Sequence, residues 1–117
     1  MTCCTRYTAK TRGDYRREAR VCRALANEAR LMMVDRLREG DLSVGALAKA
    51  VDQDISTVSR HLSVLRQAGI VGFQKDGKNV RYRLLTPCVL DIFACLAQVL
   101  ECCEPHDGPG ENLDHPR

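Results

Sequence analysis

The dipeptide Asp76-Gly77 constrains this chain more than any other feature. It separates two short strand-like runs, residues 70–74 and 79–85, and Asp-Gly between such runs is a strong signal for a tight β-hairpin. Upstream of residue 70 the apolar spacing is helical throughout. From Asp14 onward, Ala19, Cys22, Leu25 and Ala26 recur at three- and four-residue intervals on an expected core face. Asn27 then caps a second helix carrying Leu31, Val34 and Leu37, which Gly40 stops. Ser43 caps a short third helix with Val44, Leu47, Ala48 and Val51. Asp54 caps a fourth that runs to about Ala68, with Ile55, Val58, Leu62 and Leu65 inward and Gly69 at its end. After the hairpin, Thr86-Pro87 marks a last helix, Thr as cap and Pro in the first turn, expected to reach Cys103.

The order is therefore mainly helical with one β-hairpin, and 117 residues suffice for one domain. Trp is absent and five aromatics remain, so the core must be aliphatic. Residues 1–13 lack periodicity and read as a flexible basic arm. Residues 104–117 are acidic and rich in Pro and Gly, and read as a disordered tail. The domain itself spans 14–103. The chain carries a net +3, but the tail contributes −3, which leaves +6 on the rest. Clustered positive charge suits a polyanionic partner. No apolar run is long enough for a membrane span and no cleavable leader follows the N-terminus, so a cytoplasmic protein is expected.

Two short helices joined by a tight turn and followed by a basic hairpin make a winged helix-turn-helix pattern. Its second helix must bury one face and present a narrow polar face to the DNA major groove. Here Val58, Leu62 and Leu65 are the buried set, and Ser56, Thr57, Ser59, Arg60 and Ser63 face outward. Hydroxyls can meet phosphates or base edges, and Arg60 can reach guanine or phosphate. The wing offers Lys75, Lys78 and Arg81, with Arg83 nearby, to the DNA backbone or minor groove. A solvated Ser/Thr face and a Lys-rich edge hairpin are each ordinary alone. In this order and spacing they reinforce one another. His61, beside Leu62, reads as a packed or hydrogen-bonded residue rather than a catalyst.

The runs ALANEARL (24–31), LSVGALAKAV (42–51), STVSRHLSVLRQAGIV (56–71) and KNVRYRL (78–84) resemble the ArsR-SmtB family of small metal-responsive repressors. The resemblance covers residues 18–103. It implies a homodimer, joined through its first and last helices, that binds double-stranded operator DNA and leaves it when an effector docks. It also implies no cofactor for DNA binding. Metalloid-sensing members often carry Cys-x-Cys in the third helix, where this chain has Ser43 and Gly45. Zinc-sensing members place Asp and His on the last helix, where this chain has Asp91 and no His.

Seven cysteines remain to be explained: Cys3, Cys4, Cys22, Cys88, Cys95, Cys102 and Cys103. The odd count and two vicinal pairs argue against a disulfide framework. Cys88, Cys95 and Cys102 recur every seven residues, about 10.5 Å apart along a helix. Within a single chain that is too far for one ion, whose bonds to sulfur are about 2.3 Å, so Cys88 and Cys95 read as small residues on a dimer seam. Cys102-Cys103 can instead turn two sulfurs to one soft ion, and some arsenite-responsive members of the family carry a similar pair. A third sulfur would come from Cys95, or from Cys3 or Cys4 on the arm.

The expected function is a transcriptional repressor released by trivalent arsenic or antimony, or by methylarsenite, through thiolates. Cadmium or lead sensing and a disulfide or persulfide switch are the alternatives. A thiol enzyme or metal carrier would need a Cys-x-x-Cys or a Cys partnered by His, and neither is present, so no enzyme is expected.

Overall fold

The computed structural model describes residues 9–102. Helix α1 (Arg12–Leu25) opens on a capping box: the Asp14 amide donates to Thr11 Oγ1 at 3.3 Å and the Thr11 amide donates to Asp14 Oδ2 at 2.9 Å. The helix thus starts two residues earlier than the apolar periodicity indicated. Helix α2 (Glu28–Arg36) is capped by Asn27, whose Oδ1 accepts the Arg30 amide at 3.1 Å, and it tightens into a 3-10 turn at Leu37–Glu39. Strand β1 (Leu42–Ser43) leads into α3 (Val44–Val51), where Ser43 Oγ accepts the Ala46 amide at 3.1 Å. Asp52, left-handed at φ 55°, ends α3 and turns the chain into α4 (Ile55–Gln67).

Strands β2 (Val71–Asp76) and β3 (Asn79–Leu84) form the hairpin, and β1 joins the far side of β3 to give the antiparallel order β1-β3-β2. The hairpin forms, but one residue further on than the Asp-Gly dipeptide suggested. Asp76 pairs with Asn79, so Gly77 and Lys78 are the two turn residues. Gly77 takes φ 65° at the first turn position, the place a type II′ turn reserves for glycine. The two-residue β1 was not visible in the sequence, because its Leu-Ser pair has no alternation to read and is held by Tyr82 and Arg81 across the ladder.

Fifteen buried apolar side chains from α1 to the segment after the hairpin form one core, with Met33, Val34, Leu47, Val58, Leu62, Leu65 and Val71 fully enclosed. Three inward assignments fail, among them Ala26, which is exposed as the C-cap of α1. Ile55 is 55% exposed, since the first residue of α4 precedes the point where the helix meets the core. Cys22 is exposed on α1 rather than packed.

The last segment also departs from expectation. Thr86 makes no side-chain cap bond. Its hydroxyl donates to the Gly69 carbonyl at 3.2 Å, tying the chain back to the end of α4. Pro87–Leu90 is a 3-10 turn, and only Asp91–Cys102 is the α-helix α5. No residue of α5 is buried, and Leu96, Val99 and Leu100 are 41%, 58% and 58% exposed. The Cα radius of gyration is 16.8 Å, against about 13 Å for a compact domain of this size.

Candidate nucleic-acid interface and thiol positions

Helix α4 presents the two faces the sequence demanded. Val58, Leu62 and Leu65 are enclosed, while Ser56, Ser59, Arg60 and Ser63 are exposed and Thr57 is half-buried. Asp54 organises the start of this face. Its carboxylate accepts the Ser56 and Thr57 hydroxyls at 2.5 and 2.6 Å and the Thr57 amide at 3.3 Å. These bonds, led by that from Ser56, hold the Asp54 carboxyl well below the usual carboxylate range. In the sequence Asp54 reads as a helix cap only. The spacing Asp-x-Ser-Thr was the signal that it would also hold two hydroxyls.

His61 sits on the flank of α4 that faces α2. Arg30 Nη1 donates to His61 Nδ1 at 3.1 Å, and since guanidinium has only donors, Nδ1 is the acceptor and the ring proton is on Nε2. Burial, then the Arg30 and Arg60 charges, push the His61 pKa down. The residue is a hydrogen-bonded structural group, as its position beside Leu62 indicated.

On the wing, alternation decides which basic groups share a face. Residues directly opposite in the ladder point the same way. Arg81 lies opposite Gln74, whereas Lys75 lies opposite Val80, so Lys75 and Arg81 occupy opposite faces. Lys78 stands at the turn between them. Arg83 is engaged: Nη2 donates to Gln74 Oε1 at 2.8 Å, and Nε lies 3.6 Å from Asp41 Oδ2. Among the described residues, Arg60, Lys75, Lys78 and Arg81 form no ion pair. Behind the wing, the Arg66 guanidinium lies 4.6 Å from the centre of the Phe73 ring, and Phe73 packs on Tyr82 with ring centres 5.9 Å apart. The end of α4 is thereby attached to the base of the hairpin.

The thiols are less assembled. Cys88 falls in the 3-10 turn, so the stripe of three on one α-helix reduces to Cys95 and Cys102, both exposed and free. Cys3, Cys4 and Cys103 lie outside the described residues. Among the described residues, no three metal-ligating side chains come together, and no helix is long and apolar enough to cross a membrane.

Residues 27–72, from the cap of α2 to the start of the wing, match the family model described as bacterial regulatory protein, arsR family. A helix-turn-helix transcriptional regulator of Mycobacterium tuberculosis is 34% identical over 87 residues, 74% of this chain and 76% of that protein. This chain belongs to the arsR family. The arsenical resistance operon repressor of Escherichia coli is 48% identical over 61 residues, 51% of the chain and 52% of the repressor. A second Mycobacterium tuberculosis regulator, 38% identical over 82 residues, is matched over only 36% of its length. Among solved structures, a homodimeric winged helix-turn-helix DNA-binding domain from Mycobacterium bovis superposes with a TM-score of 0.70 at 27% identity, covering 86% of this chain and 99% of that one. The fold is therefore the mainly helical winged helix-turn-helix with a β-hairpin wing. The relatives are named as transcriptional regulators, so the thiol-enzyme and carrier readings fall away.

Proposed function

We propose that this arsR-family chain is a homodimeric, cytoplasmic repressor that leaves its operator when a soft, thiophilic ion binds its cysteines, with trivalent arsenic or antimony, methylarsenite included, as the effector. The observation that carries the DNA reading is α4: one face fully enclosed, the other exposing Ser56, Ser59, Arg60 and Ser63 beside the half-buried Thr57. With Lys75, Lys78 and Arg81 of the wing these residues are the DNA contacts. The dimer reading rests on α5, twelve residues long with none buried, and on the homodimeric Mycobacterium bovis domain. The domain is taken as residues 14–103 together with the two preceding residues that open α1, between the arm and the tail.

The effector site is assigned to Cys102 with Cys103, and Cys95, Cys3 or Cys4 supplies any third sulfur. Support comes from the chemistry of vicinal thiols, from the free, exposed Cys102, and from the similarity to a repressor named for arsenical resistance. The test is a fluorescence-anisotropy titration on operator DNA with arsenite, antimonite, methylarsenite, cadmium, lead, zinc and persulfide added in turn. Release by the trivalent species at the lowest concentration is expected. Release by cadmium, lead or persulfide alone overturns the arsenic assignment and leaves the repressor.

A further inference from the structure

Ser56 and Thr57 lie on the half of α4 that the preceding reading places in the major groove, and the state of their hydroxyls is unusual for groups that meet DNA. Ser56 Oγ donates to Asp54 Oδ2 at 2.5 Å, and Thr57 Oγ1 donates to Asp54 Oδ1 at 2.6 Å. A hydroxyl has one proton and an ionised carboxylate only accepts, so the direction of both bonds follows from the chemistry of the groups. Both protons are committed, in charge-assisted bonds about twice as strong as neutral ones. The same bonds keep Asp54 ionised across the physiological range. The free lone pairs of these two hydroxyls and of the Asp54 carboxylate can only accept.

That polarity selects among the groups DNA can offer. Phosphates present acceptors and negative charge, and Asp54 repels them. The keto edges of guanine and thymine accept as well. In the major groove the base donors are the N6 amino group of adenine and the N4 amino group of cytosine. We infer that Ser56 and Thr57 read an exocyclic amino group, of adenine or cytosine, and that Asp54 sets this preference by holding their protons. The inference rests on α4 being the DNA-reading helix and goes beyond it to name which base edge that helix accepts. It has a recognisable signature. Exchanging adenine and cytosine keeps an amino group in place, whereas A→G and C→T replace it with a keto oxygen. Transitions at the contacted position are therefore costly where the A-for-C transversion is tolerated.

The test uses the full chain and an operator duplex obtained by selection from random sequence. Each adenine is replaced in turn by purine, which lacks the 6-amino group, and each cytosine by 2-pyrimidinone, which lacks the 4-amino group, so the two arms identify the base. The expected result is a half-site position where removing the amino group weakens the parent about tenfold, an effect absent in Ser56→Ala/Thr57→Val. Asp54→Asn keeps the helix cap through its oxygen, but its NH2 cannot accept, so at least one of the two hydroxyl protons is freed and tolerance for guanine or thymine at that position should rise. Circular dichroism establishes that the variants are folded. Uniform weakening of Ser56→Ala/Thr57→Val on all sequences, with a shallower salt dependence, would mean phosphate contacts and overturn the inference. So would a parent that tolerates loss of every amino group. A parent with no sequence-specific binding at all overturns the repressor reading itself, and is seen before any base analogue is used.

Discussion

Arg30 joins three helices by itself. From α2, its Nε donates to the Ala24 carbonyl at 2.6 Å and Nη2 to the Arg23 carbonyl at 3.3 Å, both at the end of α1, while Nη1 reaches His61 on α4. Burial first, and then the Arg30 and Arg60 charges toward which protonated His61 would turn a donor, lower its pKa. The unfolded chain therefore binds that proton more readily than the folded one, and stability rises with pH across this window. The His61 contribution is complete above about pH 6.5, the unfolded value, and is lost as pH falls toward the lower folded value. Melting temperature should drop between pH 7.5 and 5.5, and His61→Gln, an acceptor that does not titrate, should flatten that slope. The lowered carboxyl pKa values of Asp14 and Asp54 act only in stronger acid. At the DNA surface, Arg60→Ala should weaken operator binding by about 1–3 kcal/mol and relax specificity at one position if Arg60 meets a base. Lys78→Ala should weaken all sequences alike and reduce the salt slope. Unchanged binding in both folded variants would remove the docking model.

At the scale of elements, α5 carries more apolar surface than its own domain covers. Leu90, Ile92 and Phe93, around its start, pack against the core, but Leu96, Val99 and Leu100 do not. An apolar arc wider than one core face needs serves a second surface. Leu96→Glu with Val99→Glu should give a monomer in micromolar sedimentation, with operator affinity reduced because two half-sites no longer bind together. A stable dimer in that double variant would place the interface elsewhere. The wing shows the opposite arrangement. Its base is anchored internally by Arg66 on Phe73 and by Phe73 on Tyr82. Its turn leaves Lys78 exposed.

For the whole molecule, Cys102, one of the proposed effector thiols, closes α5, while the exposed face proposed to read DNA is on α4. In the proposed mechanism, ligation there would favour one dimer arrangement, and a tenfold change in operator affinity needs about 1.4 kcal/mol of coupling. Cys102→Ser and Cys103→Ser should each leave a repressor that binds DNA but no longer releases it with arsenite. Removal of Cys3 and Cys4 together should matter less, unless the arm supplies the third sulfur. A Cys102/Cys103 double variant that releases DNA at the parent's arsenite concentration would move the site.

Helix order, caps and core were legible from the sequence because each rests on local chemistry. Asn27, Ser43 and Asp54 cap where their side chains reach amides three residues on, and the spacing of Val58, Leu62 and Leu65 leaves one way to bury α4. The two exposed faces of the DNA reading, α4 and the wing, were legible for the same reason. What only the tertiary structure decided depends on partners distant in the chain. Strand β1 exists because β3 passes beside it. Thr86 leaves its cap role because the Gly69 carbonyl is within reach. Arg81 and Lys75 part company because the ladder register sends them to opposite faces. The polarity of Ser56 and Thr57 belongs between the two: their nearness to Asp54 is written in the sequence, but only the folded helix start turns both hydroxyls onto one carboxylate.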